Sequence, residues 1–187
     1  MKNIESKKLD NKEEVFIFGK SSVLTQELKK YFINAKTFNR NSNFFKDTKK
    51  FIEILNKNKL NIIIYISGIL RSKPLSEQSK KEKFDSFEIN TWKFVEIVEQ
   101  INKHNIYAKV IYISSESAEK GSYDTSYWLS KAATESFIKE NRMKNKMSSI
   151  IGISPSTIQD AGMTERRKDL TLLQRYKNNH PKKRFLK

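Results

Sequence analysis

VIYISSESAEKGSYDTSYWLSKAATESFIK, from Val110 to Lys139, decides the reading of this chain. Val110 to Ile113 is a short apolar run of the kind that forms a buried strand. It ends in two hydroxyls, Ser114 and Ser115. A polar loop follows, and a helix opens near Tyr127. Tyr127 and Lys131 are four residues apart, so a helix places them on one face. The spacing alone is what chance would supply; its position after a strand that ends in serines carries the information. A phenol titrates near about 10. An ammonium beside it favours the phenolate and lowers that value, which suits Tyr127 to general acid–base work.

Working outward, apolar runs alternate with amphipathic ones. Val15 to Phe18 is a strand closed by Gly19, and Ser21-Ser22 offer capping hydroxyls to a helix over 23–32. Leu24, Leu28, Tyr31 and Phe32 give that helix its apolar face. A second strand spans 35–38, and a helix spans 47–56. Leu60 to Ile66 is apolar enough for a central parallel strand covered on both faces. A long helix over 83–103 carries Phe84, Phe87, Phe94, Val98 and Ile101 on its buried stripe. Then come a strand at 107–113, a helix at 127–143, a strand at 148–153 and a helical patch at 170–176. Alternation of this kind means an α/β fold: a three-layer, Rossmann-like, doubly wound parallel sheet. Residues 1–14 read as a polar lead-in and 15–187 as one domain. Ligands of such sheets bind beyond the carboxyl ends of the strands. Gly19, Ser67-Gly68, Ser114-Ser115 and Ser154-Pro155 all fall at those ends.

Composition narrows the function. The 187 residues hold no cysteine, which excludes disulfides and thiol chemistry, and the two histidines lie far apart with no metal-ligand spacing. No run is apolar and long enough to span a bilayer, and the N-terminus lacks a signal-peptide core. These features point to a cytoplasmic protein without a membrane partner. The net charge of +16 is spread along the chain rather than gathered in one arm. Solvated lysine-rich faces account for it first, and an anionic cofactor or substrate second; nucleic-acid binding ranks below both.

Gly19-Lys20-Ser21-Ser22 joins a strand to a helix N-terminus, the layout that cradles a pyrophosphate. The dinucleotide fingerprint asks for three glycines. Val23 and Thr25 stand where two of them belong, and Val23 would crowd a closely approaching phosphate. An ordinary strand–turn–helix is an equally good account of these residues alone.

Over nearly its whole length the chain resembles the short-chain dehydrogenase/reductase family. FGKSS is similar to the start of the cofactor loop, and IIIYISGIL to the strand that carries Asn-Asn-Ala-Gly. KFDSFEINTWKFVEIV is similar to the helix whose catalytic asparagine falls on Asn90. ISSES with SYWLSKAATESFIK resembles the serine and Tyr-x-x-x-Lys segment, and ISPSTIQDAGM the Pro-Gly segment. The resemblance implies an NAD(P)-dependent oxidoreductase acting on a small carbonyl/alcohol pair, with NADP(H) slightly favoured over NAD(H), and a homo-oligomer. It implies Tyr127 as proton donor and acceptor, and Lys131 lowering the Tyr127 pKa while holding ribose hydroxyls. A serine binds the substrate oxygen, and Asn90 anchors a water that relays protons from Lys131. The family's second serine selects Ser115, whereas the usual spacing selects Ser114; Ser115 is preferred. Cofactor contacts fall on Gly19, Ser21, Ser22, Arg40, Ser67, Gly68, Tyr127, Lys131 and Pro155. Arg40 stands where an arginine receives the NADP 2′-phosphate, though a solvated arginine fits the position equally well.

The chain departs from the family in five places. Two cofactor glycines are replaced, Asn-Asn-Ala-Gly reads Tyr65-Ile66-Ser67-Gly68, and Pro-Gly reads Pro155-Ser156. The segment between the second and fourth strands is short, which puts the family's third strand in question. The final helix and strand are expected to be absent, leaving 149–153 as a sheet edge. A catalytically impaired relative that binds a nucleotide or a partner is the alternative reading.

Overall fold

The computed structural model describes residues 13–55, 57–158, 162–165, 167 and 170–186. Most of the expected lead-in therefore lies outside the described residues, and its last two residues already belong to the first strand. In chain order the elements are β1 (Glu13–Phe18), α1 (Val23–Tyr31), β2 (Lys36–Phe38), α2 (Asn43–Lys46), α3 (Thr48–Glu53), β3 (Leu60–Tyr65), α4 (Lys80–Phe87), α5 (Lys93–Lys103), β4 (Ala108–Ile113), α6 (Ser117–Lys120), α7 (Thr125–Glu140), β5 (Ser149–Ile153), α8 (Gly162–Glu165) and α9 (Leu170–Asn179). A 3₁₀ turn spans Leu75–Glu77, and a π-helical turn, Glu88–Trp92, joins α4 to α5.

All described strand pairs are parallel, in the order β2-β1-β3-β4-β5. The apolar run at Leu60 thus takes the centre of the sheet, as its composition demands. β2 forms one edge, and the chain crosses from it over α2 and α3 to β3, with no further strand beyond β2 among the described residues. β5 forms the other edge, with Ile151 48% and Ile153 47% exposed.

The register sets one row of side chains across the sheet. Phe38, Phe18, Tyr65 and Tyr112 are successive partners, and Gly152 ends the row. Neighbouring rings in it lie 5.1, 5.8 and 5.9 Å apart. Ring quadrupoles favour such offset and tilted contacts. Phe51 of α3 and Phe94, Ile97, Val98 and Ile101 of α5 close over this face as the main core. On the opposite face Val15, Ile17, Ile64 and Ile66 pack against Leu24, Leu28 and Phe32. Tyr31, assigned to that face from sequence, is 42% exposed instead.

The long helix expected over 83–103 differs in a way that matters for the site. It begins at Lys80, behind a capping box in which the Ser79 hydroxyl accepts from Glu82 N and the Glu82 carboxylate accepts from Ser79 N. It is then interrupted by the π turn. An extra residue in a turn rotates the two flanking helices by about 100° relative to each other. The stripe of Phe94, Val98 and Ile101 therefore does not extend back to Phe84, which is 64% exposed.

Candidate active site

The carboxyl ends of the strands open onto one cleft of about 1020 Å³. Its floor at one end is the turn after β1. Gly19 N and Lys20 N donate to Phe38 O, and Ile66 N and Ser67 N donate to Phe18 O, so β1 is stapled to the ends of both neighbours. Gly19 has φ +125°, and a Cβ there would meet Ile66 Cβ at 3.1 Å and Ser67 N at 3.2 Å. Both facts require glycine. Thr25 is accommodated in place of a family glycine because its hydroxyl donates to Gly19 O at 2.7 Å. Gly19, Lys20, Ser21, Ser22 and Leu24 make the wall here, and Val23 is not among these wall residues. Ser22 is the N-cap of α1 but forms no side-chain cap, which leaves the first-turn N–H groups without that competitor. Further along, the Ser67 hydroxyl oxygen is buried in the wall with no hydrogen-bond partner.

The other end of the cleft is built by β4 and α7. Asp124, almost wholly buried, caps α7 through Tyr127 N at 3.0 Å. Its other oxygen accepts from Arg71 N at 2.6 Å and Ser72 N at 3.3 Å, and Gln78 Nε2 donates to the same carboxylate at 2.9 Å. One side chain thus fixes the loop after β3 against the helix that carries Tyr127. Sequence reading passed over Asp124, although an Asp before Thr-Ser-Tyr is an N-cap signal.

Ser115, Tyr127 and Lys131 all face the cleft, and Tyr127 and Lys131 are buried in its wall. Burial raises the Tyr127 phenol above its ordinary value. The Ser115 hydroxyl pulls the other way; Asp124 adds to the rise and Arg167 lowers it. The direction is opposite to that expected from the Tyr-x-x-x-Lys spacing. The reason is the aim of Lys131: Nζ donates to Ile113 O at 2.8 Å and lies 4.4 Å from the centroid of the Tyr112 ring, against 5.8 Å for Tyr127. Burial in turn lowers Lys131 to about 7, with Glu135 acting to raise it. Ser114 also lines the cleft, but its hydroxyl is committed to Glu135 Oε1 at 2.5 Å.

Asn90 lies behind the wall, fully buried at the centre of the π turn. Its Oδ1 accepts from Ile69 N at 2.7 Å, and its Nδ2 donates to Ile69 O and to Ser130 Oγ. Its own carbonyl accepts from Tyr112 Oη at 2.6 Å and Thr134 Oγ1 at 3.1 Å. The adjacent Ile89 carbonyl accepts from Tyr65 Oη at 2.6 Å. Two phenols from paired strands thus satisfy consecutive carbonyls of the π turn, and burial holds both well above their usual pKa. Asn90, expected to anchor a relay water, has both its side chain and its carbonyl engaged by protein groups. A Cβ on Gly68 would meet Asn90 Oδ1 at 3.3 Å and Lys131 Nζ at 3.8 Å, so Asn90 and Lys131 flank the same point of the wall.

Of the residues singled out from sequence, Gly19, Ser21, Ser22, Arg40, Ser67, Gly68, Ser115, Tyr127, Lys131 and Pro155 line this one cleft, and Asn90 supports it from behind. A model of the short chain dehydrogenase family matches residues 19–171. The chain belongs to the short-chain dehydrogenase family. Family membership makes it an oxidoreductase by class. Among solved structures, a short-chain dehydrogenase/reductase (glucose/ribitol dehydrogenase) from Brucella melitensis is 16% identical, with a TM-score of 0.74 over 95% of this chain and 84% of its own. A small-chain dehydrogenase in complex with NADPH is also 16% identical, with a TM-score of 0.74 over 93% and 85%. A short-chain dehydrogenase/reductase from Vibrio parahaemolyticus is 18% identical, with a TM-score of 0.67 over 81% and 88%. At these identities the likeness is one of fold. No curated protein matches the chain. No described helix is long and apolar enough to cross a membrane.

Proposed function

We propose that this short-chain dehydrogenase interconverts a carbonyl and an alcohol on a small molecule, using a nicotinamide cofactor and Tyr127 as general acid and base. One observation carries the reading: Ser115, Tyr127 and Lys131 share a cleft with the glycine turn and the N-terminus of α1. The residues present suit a dinucleotide. Gly19 N and Lys20 N are engaged by Phe38 O and Ser22 N by Gly19 O, so it is the uncapped start of α1 that offers N–H groups to a pyrophosphate, with the Ser21 and Ser22 hydroxyls beside it. The partnerless Ser67 hydroxyl, Gly68, Lys131 and Pro155 line the wall toward the tyrosine. Exposed Arg40 and Lys20 border the same wall, and a 2′-phosphate there favours NADP(H) over NAD(H). The cofactor supplies the hydride when bound.

The protein's part is proton management and orientation. Burial keeps the Tyr127 phenol protonated at neutral pH, the form that donates to a carbonyl oxygen during reduction. Ser115 lines the same cleft as that phenol and orients the substrate oxygen toward it. Lys131, poised near neutrality, restores the proton from the cleft. Asn90 acts by position: it grips both backbone groups of Ile69 and so fixes the Gly68 wall opposite Lys131.

Fluorescence titration with NADPH and NADH tests the reading, with NADPH expected to bind more tightly. Failure of both to bind at millimolar concentration would sink it. Tyr127→Phe is expected to cut turnover by about 10²–10⁴-fold while cofactor affinity stays near wild type. An equal loss of both would make the tyrosine structural.

A further inference from the structure

Tyr127, Lys131 and Glu135 succeed one another at four-residue steps along α7, so they share one face of the helix. Glu135 has no part in the proton chemistry assigned to Tyr127 and Lys131. Its Oε1 accepts from Ser114 Oγ and from Ser154 Oγ, both at 2.5 Å. Ser114 directly follows β4 and Ser154 directly follows β5, and Ser114 N also donates to Ile153 O at 2.8 Å. One carboxylate oxygen therefore holds together the ends of two strands. The residues next to this clasp are those of the cleft: Ile113 O receives the Lys131 ammonium, Ser115 and Tyr127 line the same wall, and Pro155 O accepts from Glu116 N at 3.0 Å.

We propose that Glu135 is a positioning residue of the active site: it clasps the ends of β4 and β5 around Lys131 and supplies the negative charge that balances the Lys131 ammonium. This deepens the oxidoreductase reading and rests on it for the role of Lys131. The surroundings favour Glu135 for the task. From β4, Lys131 is met by the Tyr112 ring, and from its own helix by Tyr127, with Glu135 one turn further along acting through its charge; Arg167 acts on the Tyr127 phenol and brings positive charge. From the π turn and the loop after β3 come neutral groups, Asn90 and Gly68. Glu135 is the carboxylate that acts on Lys131, and it opposes the burial that would strip the proton away. Ser114, the alternate catalytic serine by spacing, has its place in this clasp.

The decisive measurement tracks the side-chain carbon resonance of Lys131 with pH in the cofactor-free chain, assigned by comparison with Lys131→Met. Glu135→Gln keeps an oxygen for the two serine hydroxyls but removes the charge. The Lys131 midpoint is expected to fall by about half a unit to one unit; an unmoved midpoint overturns the proposal. Where Glu135→Gln fails to fold, Glu135→Met is read in the same way, and an unmoved Lys131 midpoint again overturns the proposal. With NADPH as reductant, the pH limb of kcat moves in the same direction in Glu135→Gln, while Ser154→Ala, which keeps the charge, leaves the limb within about 0.3 units. Failure of NADPH to bind removes the oxidoreductase reading and leaves the titration result standing by itself.

Discussion

Lys131 is the residue at which function and stability pull apart. Its native pKa of about 7 lies below the ordinary 10.5 because the ammonium is buried. Below pH 7 both folded and unfolded chains carry the proton, and the folded state bears the full burial penalty. Between pH 7 and 10.5 the unfolded chain binds the proton and the folded one releases it, so this group makes stability rise with pH across that window. Lys131→Met removes the penalty. We expect the variant to be more stable than wild type at pH 6–7, by on the order of a few kcal/mol, with the gain shrinking toward pH 10 and turnover lost throughout. Urea denaturation at several pH values checks this; a gain that does not depend on pH would mean that packing, not charge, is responsible. Gly19 presents a simpler case. Alanine there would hold φ +125° and press on Ile66 Cβ and Ser67 N. Gly19→Ala is expected to lower Tm by about 3–10 °C and to weaken NADPH binding in the same titration.

At the scale of elements, the π turn is the joint on which the site's wall depends. A helix gives up regular i→i−4 bonding only where other donors take its carbonyls. Tyr65 and Tyr112 do so from two adjacent strands, and Thr134 adds a second donor to Asn90 O. Removing a phenol hydroxyl leaves a buried carbonyl short of a partner, at about 1–3 kcal/mol. Tyr65→Phe is expected to fall in the upper part of that range and Tyr112→Phe in the lower, since Thr134 still serves Asn90. Denaturant midpoints read the difference directly, and two variants as stable as wild type would mean that the hydroxyls do not hold the turn. The pair also explains why this segment departs from the family: phenylalanine or asparagine at 65 would fill the space or the polarity, not both.

Across the whole molecule, an exposed edge strand sits on a chain of net charge +16. Among the described residues β5 pairs with β4 alone and carries two half-exposed isoleucines, a template for pairing with a second chain, while like charge keeps copies apart. Salt screens the repulsion and leaves the edge intact. Sedimentation velocity is therefore expected to show self-association that grows with ionic strength, and Ile151→Lys is expected to suppress it; concentration-independent sedimentation of the wild type at high salt would contradict this. The sheet itself was legible from sequence because apolar runs such as 60–66 leave no other covered place for themselves. So was the convergence of Gly19, Ser67, Ser115 and Pro155, since every parallel strand ends at the same edge. Tyr127 and Lys131 were legible as a pair because helical spacing is local. What the pair does was not. The aim of Lys131 at Ile113 O, and hence a Tyr127 pKa raised rather than lowered, depends on how α7 lies against β4. The π turn depends on hydroxyls donated from residues 22 and 24 positions away. The clasp on Glu135 joins residues 114, 135 and 154, which only the stacking of β4, β5 and α7 brings within reach. Local periodicity determined the elements and the chemistry available at their ends. Burial and aim, which set each pKa, are properties of packing between distant segments, and only the tertiary structure decided them.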